Sequence, residues 1–296
     1  MTTDLHYVSG QSIIPPDAFG ISPSGVSKFL DKTHEWYREM VLGEKSFTGS
    51  TSTVLGTCVH YCAEQYIKHK KVNYIEIYKY LYTQCCTPDP AIEEQFLSYA
   101  PFELSASDES DIIAWLRKNS TNPDIDCNYI LDQWRPMGQA LISHLIKTGI
   151  PQQSEPMFCA EVIPNYWASG SIDAIKGDMI IDYKTTSEKS PKSYIPMNYK
   201  YQLLTYAWIC SKNNIPIDRI SIIWVTNNEV GRISEVTGKP LKDYPAQAVQ
   251  VTEQITKADI DFIESILTMI ASTVQASKDQ PDLTWLLFKD PRLKAI

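Results

Sequence analysis

The stretch from Ser169 to Thr186 constrains the fold more than any other part of the sequence. It runs SGSIDAIKGDMIIDYKTT, and its alternation of apolar and polar residues predicts two short strands around a Lys-Gly-Asp turn. Successive side chains of a strand point to opposite faces of the sheet. The second strand therefore places Ile180, Asp182 and Lys184 on one face.

Two registers of this hairpin are compatible with the turn. If Lys-Gly forms the loop, Asp173 lies opposite Ile180 and diagonal to Asp182; if Gly-Asp forms it, Asp173 faces Asp182 directly. Opposite and diagonal partners lie roughly 5–8 Å apart. In both registers, Asp173, Asp182 and Lys184 therefore share one face at a distance that a single ion can bridge.

The two carboxylates of this face repel each other unless a cation lies between them. A hard ion such as Mg²⁺ takes oxygen ligands and usually keeps several waters, and Mn²⁺ accepts the same ligands. We expect one of those waters to act as a nucleophile, with Lys184 beside it as an electrostatic or proton partner.

Asp173 and the later Asp-Tyr-Lys triplet at 182–184 resemble the core of the PD-(D/E)XK nuclease superfamily. The flanking segments resemble its RecB-like, lambda-exonuclease-like branch. Residues 201–207 (YQLLTYA), in a predicted helix, resemble a Gln-x-x-x-Tyr motif, and residues 56–64 (GTCVHYCAE) resemble a Gly-x-x-x-His motif with a later acid. Asp-x-Lys alone is common, but four elements in the expected order are much more specific.

The resemblance covers roughly residues 21–70 and 155–226. It implies a restriction-endonuclease-like α/β/α core with a mixed sheet, plus a helical insertion that forms either a cap or a wall over the DNA path. The parts of this single nuclease domain are N-terminal helices with the His motif (21–71), the helical insertion (72–150), the catalytic α/β core (155–237), and a C-terminal helix and tail (256–296).

The resemblance also implies roles for individual residues. The expected catalytic residues are Asp173, Asp182, Lys184, His60 and Gln202. The expected metal ligands are His60, Asp173, Asp182, the backbone carbonyl of Tyr183 and, given a long loop or a bulge before the hairpin, Glu161. The expected supporting residues are Glu64 and Tyr206, and the expected DNA contacts are Ser24, Lys189, Lys192 and Lys200.

The same residues have plainer interpretations. His60 and Glu64 are four residues apart, so they could form an ordinary surface pair on an amphipathic helix. Gln202 could likewise belong to an amphipathic helix without a function. A tight turn at residues 164–165 would put Glu161 on the face opposite the hairpin carboxylates.

Composition limits the class of protein. The net charge of −8 gives no general attraction to nucleic acid, although a nuclease needs only a local basic groove. Seven cysteines without a Cys-x-x-Cys, no secretory signal and no membrane-spanning run favour a cytoplasmic protein with reduced thiols. Lys32 and Thr33 stand where iron–sulfur members carry Cys-Pro, and no cysteine follows Cys210, so we expect no iron–sulfur cluster.

These features together predict a metal-dependent DNA exonuclease of phage or bacterial recombination and repair, using Mg²⁺ or Mn²⁺. The expected partners are DNA, a single-strand annealing or recombination protein, and further copies of the chain. Three alternatives stay open: an endonuclease of the same fold, a catalytically silent DNA-binding or assembly subunit, and a non-nuclease with a chance Asp-x-Lys hairpin.

Overall fold

The computed structural model describes residues 14–44, 49–234 and 236–279. Its helices are α1 (Pro23–Asp31), α2 (Thr33–Met40), α3 (Thr51–His69), α4 (Tyr74–Cys85), α5 (Pro90–Ser98), α6 (Ala106–Asn119), α7 (Cys127–Thr148), α8 (Met197–Lys212) and α9 (Lys257–Asp279). Its strands are β1 (Phe19–Ile21), β2 (Gln153–Ser154), β3 (Met157–Ile163), β4 (Tyr166–Ser171), β5 (Ala174–Lys176), β6 (Met179–Thr186), β7 (Arg219–Thr226) and β8 (Ala248–Gln254). The predicted C-terminal tail lies outside the described residues.

Two sheets organise the fold. The larger has the strand order β2-β5-β6-β7-β8 and is mixed, because β6 and β7 run parallel while the other neighbours run antiparallel. The smaller has the order β1-β4-β3. Helices cover both faces of the larger sheet, which confirms the predicted α/β/α core with a mixed sheet.

The hairpin of the Asp-x-Lys motif has the second of the two predicted registers. β5 and β6 pair so that Gly177 and Asp178 form a two-residue loop. Gly177 has a φ of 59°, a left-handed value that glycine adopts without steric cost. The last pair of this ladder joins Ala174 and Ile181. One residue further along, the same register brings Asp173 opposite Asp182.

The segment before Asp173 differs from the predicted continuous strand. Residues 169–171 end β4, which pairs with β3 in the smaller sheet. The chain then crosses to the larger sheet at Ile172 and Asp173. Ile172 is fully buried, and its N–H donates to the carbonyl of Pro156. Asp173 therefore lies at a fixed crossing between the two sheets rather than within a strand.

Alternation along β6 and β7 divides their side chains between two cores. On one face Ile180 and Ile222 pack with α1, α8 and α9. On the other face Tyr183 and Ile223 pack with α3, α4 and α7. A slip of one residue would exchange the two faces, and burying each such side chain contributes about 1.5–3 kcal/mol. Both cores therefore fix the register that positions the motif.

Residues 74–148 form the helices α4 to α7, in agreement with the predicted helical insertion. Arg135 of α7 forms an ion pair with Glu109 of α6. Gln133 of α7 exchanges two hydrogen bonds with the backbone of Asn228, directly after β7. These contacts fix the helical layer to one end of the larger sheet. Among the described residues, no helix is both long enough and apolar enough to cross a membrane.

Candidate active site

Asp173 lies at the crossing before β5, where the Tyr183 N–H and the His60 ring contact its carboxylate. Its Oδ2 accepts a hydrogen bond from the Tyr183 backbone N–H at 2.7 Å. The same oxygen lies 3.4 Å from Nδ1 of His60 on α3. The His60 ring packs edge-on against the Tyr183 ring, with centroids 5.6 Å apart. The packing of α3 on the sheet thus brings His60 to the hairpin carboxylate.

Asp182 and Lys184 form the second half of the site, on β6 beside α8. Lys184 Nζ donates to Asp182 Oδ1 at 3.0 Å and lies 2.8 Å from Oδ2. Gln202 Nε2 reaches the same Oδ1 at 3.4 Å, which is long for a hydrogen bond. Tyr199, which the sequence did not single out, has its ring centroid 5.1 Å from Lys184 Nζ. α8 thus contributes an amide and an aromatic ring to the site.

The two hairpin carboxylates differ in their ionisation. Burial raises the pKa of Asp182 to about 6, and the Lys184 ammonium offsets this only in part. Burial also acts to raise the pKa of Asp173, but His60, Lys184 and the Tyr183 N–H together hold it below its usual value. Burial acts to lower the pKa of His60, but the charge and hydrogen bond of Asp173, together with the charge of Asp182, outweigh it, so the net shift is upward. Asp173 is thus a stabilised anion, whereas burial disfavours ionised Asp182.

Tyr206 packs behind the site, one turn after Gln202 on α8. Tyr206 is buried, and its hydroxyl oxygen accepts a hydrogen bond from Gln202. Gln202 therefore links Tyr206 to Asp182. The Tyr206 ring lies 3.0 Å from the position that a Cβ would take at Gly170. Glycine at this position therefore lets β4 approach α8 just before the chain crosses to Asp173.

Glu155 is a third carboxylate at the site, and the sequence analysis missed it. Its Oε2 accepts a hydrogen bond from Ser171 Oγ at 2.6 Å, and its N–H donates to the Asp173 carbonyl at 3.2 Å. Burial, followed by the charge of Asp173, raises the pKa of Glu155 to about 7. Its φ of 53° is uncommon for a residue other than glycine. The signal in the sequence was an acid two residues before β3, whereas the acid expected to bind the metal was Glu161 within that strand.

Two residues expected at the site make contacts elsewhere. Glu161 is exposed, and its Oε1 accepts a hydrogen bond from the Asn165 N–H at 3.2 Å, in the tight turn between β3 and β4. Glu64 forms an ion pair with Lys68 one turn later on α3, at 2.5 Å. Both carboxylates therefore have partners outside the hairpin.

The residues expected to contact DNA are dispersed around the site. Lys189 pairs with Glu229 at 2.9 Å, and Lys200 pairs with a β8 carboxylate at 2.8 Å. Lys192 is exposed in the loop between β6 and α8. Ser24 lies in the first turn of α1. The two paired lysines would have to exchange a carboxylate for a phosphate in order to bind DNA.

The donor set suits a hard divalent cation. Asp182 Oδ2 is buried, and within the part of the chain that the structure describes it has no hydrogen bond of good geometry, although the Lys184 ammonium lies 2.8 Å away as its ion-pair partner. In that same part, no three His, Cys, Asp or Glu side chains converge as a closed cage for a metal. Mg²⁺ needs no such cage, because it binds through one or two carboxylates and keeps several waters. The carboxylates of Asp173 and Asp182 therefore fit a hard ion such as Mg²⁺ better than a metal that needs a closed protein site.

Comparison with known proteins identifies the family of this chain. Residues 20–278 match the sequence profile of the PD-(D/E)XK nuclease superfamily. The chain belongs to this superfamily. The match includes β5, β6 and the flanking helices α3 and α8, so the predicted family is confirmed. None of the curated proteins compared with this PD-(D/E)XK chain matches it.

Several solved structures resemble this PD-(D/E)XK chain. A candidate exonuclease from Eubacterium rectale is 12% identical, with a TM-score of 0.51 over 94% of this chain and 91% of its own. An alkaline exonuclease from Laribacter hongkongensis is 14% identical, with a TM-score of 0.34 over 62% of this chain and 88% of its own. A phage-related exonuclease from Haemophilus somnus is 16% identical, with a TM-score of 0.34 over 72% and 95%. The likeness to the Eubacterium rectale structure supports the fold described above.

Proposed function

We propose that this protein is a Mg²⁺-dependent deoxyribonuclease that removes nucleotides from DNA ends. The observation that carries the proposal is that the hairpin brings two carboxylates together, Asp173 opposite the buried Asp182, with the Lys184 ammonium 2.8 Å from Asp182. Membership of a nuclease superfamily supports hydrolysis of a phosphodiester as the reaction. Mn²⁺ should replace Mg²⁺, because both accept carboxylate ligands.

Each residue of the site has a part in this proposal. A divalent cation held by Asp173, Asp182 and the Tyr183 carbonyl would supply Lewis acidity toward the phosphate and lower the pKa of a water. Lys184 would stabilise the negative charge that develops on the phosphate during in-line attack. His60 keeps Asp173 ionised, and the amide on α8 holds the Asp182 carboxylate against Lys184.

The exonuclease part of the proposal draws on the family resemblance and on the helical layer. Asp124 and Tyr129 of this layer face Ser52 and Thr186 across a groove beside the site. A site that is walled in this way admits the end of a strand more easily than the middle of an intact duplex. The net charge of −8 also disfavours tight binding along a duplex.

We further infer that the protein works in the cytoplasm of a bacterial or phage-infected cell, in DNA recombination or repair. All seven cysteines are free thiols, as expected in a reducing compartment. A single-strand annealing protein would be a suitable partner, since an exonuclease that degrades one strand of a duplex exposes the other. Further copies of the chain are a second expected partner.

The test is digestion of end-labelled linear DNA and of covalently closed circular DNA with Mg²⁺. We expect linear DNA to shorten from its ends, closed circles to persist, and chelation of the metal to stop the reaction. Lys184→Met should lose cleavage, whereas the matched control Lys118→Met, at an exposed lysine in the last turn of α6, should keep it. Rapid nicking of closed circles would indicate an endonuclease, and failure to cleave any DNA would indicate a silent subunit.

A further inference from the structure

A groove of about 560 Å³ opens beside the candidate active site. It lies between the start of α3 and the end of β6, and one of its lining residues, Thr185, directly follows Lys184. Ser52 lines the α3 side, eight residues before His60. At 1.5 Å per residue these two positions are ~12 Å apart, the length of roughly three to four stacked nucleotides. A strand that is cut at the site would therefore extend into this groove.

Apart from Leu55, the described residues that line the groove carry polar side chains, and none of them is a lysine or an arginine. Tyr129 contributes an aromatic ring to the wall, and Asp124 contributes an acid. Hydroxyl and amide groups come from Ser52, Thr186, Ser187 and Asn227. Hydroxyls and amides bind phosphate and sugar oxygens, and nucleic-acid bases stack on aromatic rings whatever their sequence. Pockets of about 300–1,000 Å³ hold one small organic molecule, so this groove can take one or two nucleotides but not a duplex.

Tyr129 is held in place by both walls of the groove. Its hydroxyl accepts a hydrogen bond from Nδ2 of Asn227, at the end of β7. Its N–H donates to Oδ1 of Asp126, the N-cap of α7, at 2.9 Å. The Asp126 N–H in turn donates to Thr51 Oγ1 on α3 at 2.8 Å. An aromatic ring that is already oriented loses little conformational freedom when a base stacks on it.

We propose that this groove binds single-stranded DNA next to the cleaved bond, with Tyr129 stacked on a base and Ser52 and Thr186 contacting the backbone. The inference rests on the proposed function, because it specifies which part of the substrate the same site holds. Neutral contacts release no counterions, so the groove should add affinity without adding salt dependence. Asp124 repels the DNA backbone and should weaken this binding.

The test compares a one-nucleotide substrate with longer single strands. Wild type, Tyr129→Leu and Tyr129→Phe are assayed with the p-nitrophenyl ester of thymidine 5′-phosphate and with strands of about twelve nucleotides. The ratio of kcat/KM on the strand to kcat/KM on the ester should fall roughly 5- to 150-fold in Tyr129→Leu, the range measured for stacking of one base. Tyr129→Phe keeps the ring but loses the hydrogen bond from Asn227, so its ratio should lie between those of the wild type and Tyr129→Leu. Tyr99→Leu, a tyrosine outside the groove lining, is the matched control.

Fluorescence anisotropy with labelled single strands, in Ca²⁺, gives a second readout that needs no cleavage. Tyr129→Leu should raise Kd without changing the slope of log Kd against log salt. Asp124→Asn, at an exposed position that should not affect folding, should lower Kd about twofold or more.

The outcomes separate the groove from the proposed function. An unchanged kcat/KM ratio and an unchanged Kd in Tyr129→Leu, or an unchanged Kd in Asp124→Asn, would overturn the groove while cleavage by the wild type still supports the nuclease. If the wild type cleaves neither of these substrates nor the linear DNA of the first test, the nuclease proposal fails. The anisotropy data then still decide whether the groove binds single strands.

Discussion

Replacement of Asp182 by asparagine tests the electrostatics of the site independently of DNA. The Asp182 side chain is 5% exposed, and its pKa is about 6 in the folded protein against 3.8 for an unburied aspartate. At ~1.4 kcal/mol per pH unit, the ionised carboxylate therefore lowers the free energy of unfolding by ~3 kcal/mol. Asparagine has nearly the same shape but no charge. Asp182→Asn should therefore stabilise the metal-free protein at neutral pH.

The pH dependence of this effect follows from the raised pKa. The folded protein binds the proton of Asp182 more tightly than the unfolded chain does, so the contribution is fully present below about pH 4 and is lost as the pH rises through about 6. Asp182→Asn should match the wild type near pH 4 and exceed it above pH 6. At about 2 °C per kcal/mol for a chain of this size, the melting temperature should rise by on the order of 5 °C. Asparagine removes the ion pair with Lys184, but protonation of Asp182 removes it as well. The loss of this ion pair is therefore already contained in the pKa of about 6.

Asp173→Asn is the matched control and should have the opposite sign. Burial acts to raise the pKa of Asp173, but His60, Lys184 and the Tyr183 N–H outweigh it and lower the value. Asp173 thus contributes stability above its usual pKa, and this stability is lost as the pH falls through the folded-state value. The assay is differential scanning calorimetry in chelator over a series of pH values. A lower melting temperature for Asp182→Asn above pH 6 would refute the reasoning, because the Lys184 ion pair would then outweigh burial.

Three further predictions concern the proposed reaction. Alanine at Asp173, Asp182 or Lys184 should each reduce DNA cleavage by about 10²-fold or more, the scale of one key electrostatic group, with circular dichroism confirming the fold; near-normal turnover would remove that residue from the site. Mg²⁺ and Mn²⁺ should support cleavage, whereas Ca²⁺ should raise the melting temperature without turnover, because its looser geometry positions water poorly; turnover with Ca²⁺ at the Mg²⁺ rate would contradict this. The purified protein should be colourless, and a broad brown absorbance with stoichiometric iron would contradict the expected absence of an iron–sulfur cluster.

The elements nearest the motif could be predicted from local sequence. The helix predicted to contain residues 201–207 is present as α8, between the loop after β6 and the turn at residues 213–214. The Lys-Gly-Asp turn limited the hairpin to two registers. The choice between them depends on the cores that pack on Ile180 and Ile181 from opposite faces, and the turn alone does not contain that information.

Other features depend on contacts that a local pattern cannot reveal. β8 has the half-exposed sequence AVQVTEQ and is a strand because it pairs with β7 at the edge of the sheet. Glu155 reaches the site through a left-handed backbone conformation and a hydrogen bond from Ser171, sixteen residues later in the chain. The contact between His60 and Asp173 was implied by the resemblance, but its 3.4 Å distance results from the packing of α3 on the larger sheet.

The most direct test of the central claim is DNA cleavage after removal and return of the metal. Wild-type and Asp182→Asn proteins are stripped with chelator, dialysed, and given increasing Mg²⁺ with end-labelled linear DNA. We predict that neither protein cuts without metal, that Mg²⁺ restores the wild type, and that Asp182→Asn stays about 10²-fold slower or more while being the more heat-stable protein. Cleavage by the stripped protein, or equal recovery in Asp182→Asn, would contradict the assignment of this hairpin as a metal-dependent active site.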